Sequence, residues 1–581
     1  MSSPLKLKSE RVGKVSLAKE EPFLSVLVDT GVFHLDQVFD YSLPAKFDLQ
    51  PGNWVSVPFH GRNCLGLIVS RSANTEISKV SPINRGVKGS FISPSHIELY
   101  KAVAARWAVP IFDVLRFVTK YKGPASALAV GVGEGRRSYL QLSKEKSEVS
   151  SIREVASKLA KKGATLVVVP ETRLMNLLVN EEFDVAMRGS VLTPHRYTNL
   201  IVVREESEHH YELKSPGFNS RDVALLRATT LKENVLFLGY TPSLEMAKLI
   251  ESGFVTYKRA GGKTDVIAEP ALQGELIPSA LVKEFKSALN KGPVLVVAPS
   301  KGYGLAISCA NCRNSAKCKC GGKLTKVSKQ SAPNCVLCNQ SFPDWRCAFC
   351  QSERIYLQGR GIERIAEEFG KVFANTAIHI ATAEKRIEGE IPNRSIVLST
   401  IGVAPIIDYS AVMFLDGLNS GSDMRSEERF LSNIFRYSTL TNGKVLIVER
   451  PEHPAIAALT RWNPANWINR VLKEHEEAAI PPYTRHILIK SDDSDRIYTG
   501  LISALREKRI PAETRIYNLG NGTISIFFTI KHAKEVLDFI YEFQRRRSMS
   551  GKELLKLRSE EHTSELQSLR HLVCRLLLEK K

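Results

Sequence analysis

The sequence predicts a multi-domain α/β protein with a small β domain first, two parallel α/β lobes in the middle and an α+β domain last. Three observations support this class. Alternating apolar residues fill the first part of the chain, and β-branched runs separated by helical segments fill the middle. Eight of the ten cysteines lie between Cys309 and Cys350. At 581 residues the chain is too long for one hydrophobic core.

Residues 1–21 are interpreted as a basic flexible tail, because they contain no apolar stretch that could form a signal peptide. Residues 22–92 are predicted to form the β domain. Its four candidate strands are Phe23–Val28, Val38–Tyr41, Trp54–Val57 and Leu65–Val69. Turn residues such as Pro51-Gly52 separate them.

Residues 93–150 are predicted to form a helical segment and a linker. Ser93 and Pro94 indicate an N-cap and a first helical residue, and Leu99, Val103 and Trp107 share one face of that helix. Residues 122–150 show no clear pattern. The spacing of Ser151 and Glu154 then predicts a capping box and a helix that ends at Gly163.

Seven short, apolar, β-branched runs indicate parallel sheets that are buried on both faces. The runs are Leu166–Val169, Leu200–Val203, Val235–Leu238, Val294–Val297, Ile396–Leu398, Val412–Leu415 and Val445–Val448. They predict one lobe over residues 151–270 and a second over 271–308 and 351–470, with the cysteine segment 309–350 inserted. Residues 471–557 are predicted to form the α+β domain.

The cysteines form four pairs, Cys309-x-x-Cys312, Cys318-x-Cys320, Cys335-x-x-Cys338 and Cys347-x-x-Cys350. Tetrahedral zinc takes four soft ligands at about 2.3 Å, and closely spaced cysteines supply two of them from one turn. We therefore predict two closed, structural zinc sites. The spacing leaves open whether the pairs are nested or sequential. A disulfide framework is the alternative, but nothing else indicates an extracellular protein. The short spacing of Cys318 and Cys320 is the weakest part of the pattern.

A net charge of +20 favours a polyanionic partner, with nucleic acid as the leading candidate and a merely basic surface as the alternative. Binding to nucleic acid would weaken steeply with salt. No apolar run approaches the ~20 residues of a membrane span. Residues 558–581 correspond to a translated sequencing adaptor, and we exclude them from fold reasoning.

Several motifs together resemble the PriA family, the primosomal protein N′ of bacterial replication restart, over about Phe23 to Leu557. These motifs are Val38–Tyr41 with Pro51-Gly52, Val57–Arg62, Lys301–Tyr303, the eight-cysteine insert, Glu452–Ile456 and Ile480–Arg485. The resemblance implies a DNA 3′-end-binding domain at 22–92, a winged-helix-like segment, two helicase lobes with the zinc insert, and a C-terminal domain. It also implies a cytoplasmic, nucleoid-associated protein that binds forked DNA, primosome proteins and single-stranded DNA-binding protein.

The resemblance also assigns individual residues. One zinc would be held by Cys309, Cys312, Cys347 and Cys350, and the other by Cys318, Cys320, Cys335 and Cys338. Phe39, Asp40 and Gly52 would form the 3′-end pocket, where Asp40 accepts a hydrogen bond from a base edge or the terminal hydroxyl and Phe39 supplies a stacking face. The alternative is that Phe39 is core of the β domain and Asp40 caps a turn.

The sequence departs from the family in its helicase motifs. ATP hydrolysis needs a Gly-rich phosphate loop with lysine, an acid on magnesium and an arginine facing the γ-phosphate. No G-x-x-x-x-G-K-[ST] occurs, and Gly131–Ser138 is interpreted as a flexible loop. The family's Asp-Glu-Glu-His reads Arg204-Glu-Glu-Ser207, its Gly-Ser-Ala-Thr-Pro-Ser reads Leu238–Ser243, and its last motif reads Asn433–Tyr437. We therefore expect no catalytic or nucleotide-binding residues, and a role for ATP and Mg²⁺ is doubtful.

Three functions remain open at this stage. The first is a restart protein that binds stalled forks and supports primosome assembly and helicase reloading without its own ATP-driven unwinding. The second is an active 3′-to-5′ helicase, and the third is a zinc-ribbon RNA-binding factor. The acids and histidines Glu205, Glu206, Glu208, His209 and His210 are interpreted as a solvated connector rather than a metal site, and Cys64 as a small buried residue rather than a nucleophile. The run Arg545–Arg547 fits either contact with phosphates or an exposed helix end.

Overall fold

The computed structural model describes residues 16–119, 123, 131, 133–179, 182–272, 275–298, 306–312, 314, 316–318, 324–326, 328, 330–335, 340–358, 361–387, 389–415, 425–520 and 522–559. Within these residues the chain forms an N-terminal antiparallel sheet, two parallel six-stranded sheets, a small cysteine module and a C-terminal antiparallel sheet. The multi-domain α/β class is therefore confirmed.

The N-terminal sheet has the order β2-β1-β4-β3-β5, with every neighbouring pair antiparallel. Its strands are β1 Phe23–Val28, β2 Val38–Ser42, β3 Trp54–Phe59, β4 Arg62–Ser72 and β5 Arg85–Val87. Two helices follow, α1 Pro94–Trp107 and α2 Ile111–Thr119. The predicted cap is present, because the Ser93 hydroxyl accepts a hydrogen bond from the His96 amide. The predicted apolar face of α1 is buried.

The first parallel sheet has the order β11-β6-β10-β9-β7-β8. Its strands are β6 Arg137–Gln141, β7 Thr165–Val169, β8 Asp184–Met187, β9 Asn199–Val203, β10 Asn234–Gly239 and β11 Thr256–Lys258. Four helices accompany them, α3 Glu148–Ala160, α4 Thr172–Leu178, α5 Ser220–Thr230 and α6 Leu244–Glu251. We call this unit, with its connecting segments, lobe 1.

Two local predictions in lobe 1 were wrong. Strand β6 lies within residues 122–150, where we found no pattern and which precede the expected boundary at 151. Its sequence, RSYLQ, is rich in polar residues, so burial inside a sheet could not be read from it. Helix α3 begins after Ser147, whose hydroxyl accepts from the Ser150 amide. The amide of Ser151 already bonds to the Ser147 carbonyl, which places Ser151 inside the helix.

The second parallel sheet has the order β12-β21-β20-β13-β19-β18. Its strands are β12 Val266–Ala268, β13 Val294–Ala298, β18 Ala377–Ala381, β19 Ser395–Thr400, β20 Tyr409–Phe414 and β21 Thr441–Ile447. Strand β12 precedes the expected boundary at 271. The helices are α7 Ser279–Leu289, α8 Ile362–Val372, α9 Ser426–Ser438, α10 Pro454–Thr460 and α11 Ala465–Glu477. We call this unit lobe 2.

All seven predicted apolar runs lie in strands of the two parallel sheets or extend one residue beyond them. The lobes are packed together, because one hydrophobic cluster contains Val167 and Val203 of lobe 1 and Leu295 and Val412 of lobe 2. Hydrophobic burial therefore contributes to the packing of the two lobes.

Between β13 and β18 the cysteine module contributes two short antiparallel pairs. They are β14 Ala306–Cys309 with β17 Ile355–Gln358, and β15 Leu324–Thr325 with β16 Asn334–Cys335. The C-terminal sheet has the order β23-β24-β22-β25. Its elements are β22 Thr484–Lys490, α12 Ser494–Arg506, β23 Arg515–Gly520, β24 Thr523–Thr529, α13 Ala533–Met549 and β25 Lys556–Ser559. Across the described ranges, no helix is long and apolar enough to span a bilayer.

Candidate functional site

Asp40 lies on β2, at the edge of the N-terminal sheet, and its carboxylate is held by two hydroxyl groups. Ser25 on β1 donates to one oxygen at 3.2 Å, and Thr75 donates to the other at 2.7 Å. Thr75 lies beyond the end of β4, so its approach to Asp40 could not be read from the sequence. Each carboxylate oxygen has a further acceptor position, and Asp40 is only half-buried, so it can still accept from a ligand.

Phe39 is the neighbour of Asp40 along β2, and its ring packs edge-on against Phe59 with centroids 5.0 Å apart. It adjoins the hydrophobic cluster of the β domain. Successive side chains of a strand point to opposite faces of the sheet. The strand therefore does not bring Phe39 and Asp40 together on one face, and Phe39 is half-buried at the border of the core. The 3′-end pocket stays a prediction.

Gly52 lies beside β4 rather than beside β2. Its amide donates to the Ile68 carbonyl at 2.8 Å, and its carbonyl accepts from the Ile92 amide at 3.0 Å. Its φ is +97°, and a Cβ atom added there would lie 2.2 Å from the Ile92 carbonyl oxygen. Glycine is thus required both by backbone conformation and by the close approach of the segment that leads into α1.

We expect Gly52→Ala to destabilise the N-terminal domain more than Gly31→Ala does. Both glycines have positive φ, but nothing lies within 4 Å of a Cβ added at Gly31. Gly31→Ala is the control and should lower the free energy of unfolding by about 1 kcal/mol through its backbone conformation. Gly52→Ala should lower it by roughly 1–3 kcal/mol more because of overpacking. Urea unfolding of the two variants measures the difference. Equal losses of unfolding free energy would show that the backbone at Ile92 moves aside without destabilising the domain.

Four cysteines of the module converge. The Sγ atoms of Cys309, Cys312, Cys347 and Cys350 all lie within 4.8 Å of one another. Cys309 and Cys350 are 3.4 Å apart, and Cys312 and Cys347 are 3.5 Å apart. Four sulfurs at about 2.3 Å from a tetrahedral zinc would be about 3.8 Å apart. The donor set and its spacing therefore fit a metal ion of this type.

The backbone around this cluster favours the thiolate form that metals bind. The amides of Cys312 and then Asn311 donate to the Cys309 sulfur and lower the pKa of Cys309 to about 6. Of the second predicted set, Cys318 and Cys335 are buried in the core of the module. Cys320 and Cys338 lie outside the described residues, so the second zinc site stays a prediction.

The segment that follows β9 replaces the acidic box of helicases and lies at the seam between the lobes. Arg204 is buried and pairs with Glu148 at 3.0 Å and Glu171 at 3.2 Å, both in lobe 1. A guanidinium thus occupies the position where the resemblance implies a magnesium-binding carboxylate. This cation would repel Mg²⁺ rather than coordinate it.

The interpretation of residues 205–210 as a solvated connector holds for Glu208 and His209, which are exposed, but is wrong for Glu205 and His210. Glu205 is fully buried and accepts from the amide and hydroxyl of Ser243, both at 2.8 Å. Burial, followed by the charge of Glu205, raises the pKa of Glu206 to about 8. Burial also lowers the pKa of His210 to about 4. Glu205 lies at the carboxyl end of a central parallel strand, where the chain enters the packed interior.

The two remaining minor interpretations are partly altered by the structure. Cys64 on β4 is half-buried rather than fully buried. Arg545 and Arg546 pair with Glu542 on their own helix, at 2.6 and 2.9 Å. Arg547 is buried, and its guanidinium donates to the Glu553 carbonyl, so only part of this run is an exposed helix end.

Comparison with known proteins agrees with this architecture. Residues 25–119 match the family model described as the 3′ DNA-binding domain of PriA. The match covers the antiparallel sheet and the two helices after it, so this part of the chain is similar to a 3′ DNA-binding domain.

The whole chain has curated relatives as well. It is 27% identical to the probable replication restart protein PriA of Mycobacterium leprae, over 83% of this chain and 88% of that protein. The probable replication restart protein PriA of Mycobacterium tuberculosis strain H37Rv is 26% identical over 81% and 87%, and the replication restart protein PriA of Rickettsia conorii is 23% identical over 59% and 65%. Over most of its length the chain is therefore similar to proteins named PriA.

Proposed function

We propose that this protein binds abandoned or stalled forked DNA through its N-terminal domain and promotes primosome assembly and reloading of the replicative helicase. The observation that carries the proposal is the match of residues 25–119 to a 3′ DNA-binding domain. In the structure these residues form a separate sheet with a polar carboxylate, Asp40, on its edge strand. The net charge of +20 suits a DNA ligand.

The proposal includes two zinc ions as structural elements of the cysteine module, one of them on Cys309, Cys312, Cys347 and Cys350. Each bound zinc would offset half of the charge of its four thiolates, and the first would hold the ends of the module, β14 and β17, together. The module would then present a fixed surface to partners. Primosome proteins and single-stranded DNA-binding protein are the partners that we propose from the similarity to PriA.

We further propose that the protein acts without ATP-driven unwinding. Between the lobes, a cavity of about 170 Å³ is lined by four arginines and by Glu171, Glu206, Glu208 and Glu428. Pockets that enclose a ligand of nucleotide size typically measure about 300–1,000 Å³. The small volume supports a scaffold role for the lobes.

The 3′-end hypothesis is tested with Asp40→Ala on paired DNA substrates. Forks with a free leading-strand 3′ hydroxyl should bind the variant about tenfold more weakly, which corresponds to the loss of one charge-assisted hydrogen bond. The affinity for forks that carry a 3′ phosphate should change little on Asp40→Ala, because the terminal hydroxyl is already blocked in these forks. Fluorescence anisotropy at one fixed salt concentration measures the affinities.

Asp48→Ala is the matched control, because Asp48 is an exposed aspartate of the same domain and the charge change is identical. It should not discriminate between the two forks. Competition with duplex DNA and single-stranded RNA completes the test. An equal loss of Asp40→Ala binding on both forks would contradict the pocket, and RNA competing as well as forks would contradict the proposed function.

A further inference from the structure

Helix α9 of lobe 2 places three polar side chains against lobe 1. They are Arg425, just before the helix, and Ser432 and Arg436 within it. The spacings of seven and four residues place them along one side of a helix. Their partners in lobe 1 follow the carboxyl ends of β7, β9 and β10. The contacts therefore cross the cleft in which a nucleotide-driven motor would bind its nucleotide.

Arg436 and Glu171 form the first contact. The guanidinium reaches both carboxylate oxygens of Glu171 at 3.3 Å, and Arg204 pairs with the same carboxylate from within lobe 1. Burial alone would raise the pKa of Glu171, but the two arginines hold it at about 2. One glutamate of lobe 1 thus pairs with an arginine from each lobe.

Arg425 and Glu245 form the second contact, at the start of α6. The guanidinium of Arg425 donates to both oxygens of Glu245, one of them at 3.0 Å, and to Glu428 at 2.9 Å. Glu245 also accepts from Arg221, which is almost fully buried in lobe 1. A bidentate arginine–carboxylate pair fixes orientation as well as distance, so this contact sets the angle between the lobes.

Weaker hydrogen bonds also join the two lobes. The Ser432 hydroxyl donates to Glu206 at 2.9 Å. Lobe 2 also contacts the loop after β6, which is where α/β nucleotide-binding lobes carry their phosphate loop. The Trp462 indole donates to the Leu142 carbonyl at 2.9 Å, and Lys144 donates to the Thr441 carbonyl. Residues of lobe 2 thus form hydrogen bonds with lobe 1 on both sides of the cleft.

We propose that the contacts of Arg425, Ser432 and Arg436 with Glu245, Glu206 and Glu171 form a latch that keeps the lobes closed without nucleotide. In a nucleotide-driven motor, arginines facing the cleft respond to the phosphates, and hydrolysis alters the interface. In this protein the glutamates of lobe 1 already neutralise those arginines. A triphosphate would have to break these ion pairs before it could form its own contacts with the arginines. The inference goes beyond the proposed function and does not depend on DNA binding.

The latch is tested by measuring the distance between the lobes. Spin labels attached by cysteine-independent chemistry at Lys162 of lobe 1 and Lys371 of lobe 2, both exposed, report the separation in full-length protein. The native protein should give one narrow distance that is unchanged by Mg²⁺ with ATPγS. The double variant Arg425→Met with Arg436→Met should broaden or lengthen it. Hydrogen exchange in α9 should then accelerate by at least about tenfold.

Arg470→Met is the matched control. Arg470 on α11 pairs with Glu427 at 3.4 Å and Glu474 at 3.8 Å, both within lobe 2, so its loss should leave the distance between the lobes unchanged. If the double variant does not fold, Ser432→Ala and Arg436→Lys provide milder changes with the same readouts. A nucleotide-dependent distance in the native protein would overturn the proposal. The proposal would also be overturned if none of the folded latch variants altered the distance between the lobes or the exchange rate in α9.

Discussion

Replacing Cys347 by serine is expected to release one zinc ion per chain and to unfold the ends of the cysteine module. Cys347 is buried, and its sulfur is one of the four in the cluster, 3.5 Å from the sulfur of Cys312. Binding of zinc to structural sites of this kind is worth about 10–16 kcal/mol in small zinc-finger domains, so three remaining ligands cannot hold the module equally well. Metal analysis of the dialysed protein measures the stoichiometry. Hydrogen exchange in β14 and β17 measures the local unfolding.

Cys64→Ser is the appropriate control. Cys64 is a half-buried thiol of the N-terminal sheet, and burial raises its pKa, which disfavours the thiolate that binds metal. The variant should therefore keep the full zinc content. If Cys347→Ser also retained it, the four-sulfur cluster would not be a zinc site.

Purified protein is expected to show no ATP hydrolysis above background, even with saturating forked DNA. Two groups that stabilise the transition state are missing or replaced: the phosphate loop is absent from the sequence, and Arg204 stands at the magnesium-binding position. The arginine that faces the γ-phosphate contributes on the order of 10³–10⁵-fold to the rate of related enzymes. Loss of several such groups removes most of the rate enhancement. A coupled assay of phosphate release measures the rate.

The variants Arg204→Ala and Glu206→Gln distinguish true inactivity from a weak active site. Both change residues that line the cavity between the lobes, and neither should alter the background rate. A DNA-stimulated rate that either variant abolished would show that the cleft still hydrolyses ATP. A known DNA-dependent ATPase, assayed in parallel, verifies the forks and the detection.

The sequence by itself determined the elements whose signals are local. The apolar runs in β7, β9 and β13 predicted buried parallel strands because a strand that is covered on both faces excludes polar residues. Ser93 and Pro94 predicted the start of α1 because capping depends on neighbouring residues alone. The dense cysteine pairs predicted that sulfurs would gather, but only the resemblance grouped Cys309 and Cys312 with Cys347 and Cys350.

Only the tertiary structure decided which distant residues meet. Arg436 and Glu171 are 265 positions apart, and no local pattern marks either as a partner of the other. Thr75 reaches Asp40 only because the N-terminal sheet folds back on itself. The segment after β9 looks solvated in sequence because it is rich in acids and histidines, yet the fold buries Glu205 and His210 and pairs the buried Arg204 with Glu171. Charge pairing and burial depend on positions in space, so residues that are far apart in the sequence acquire these properties only when the chain has folded.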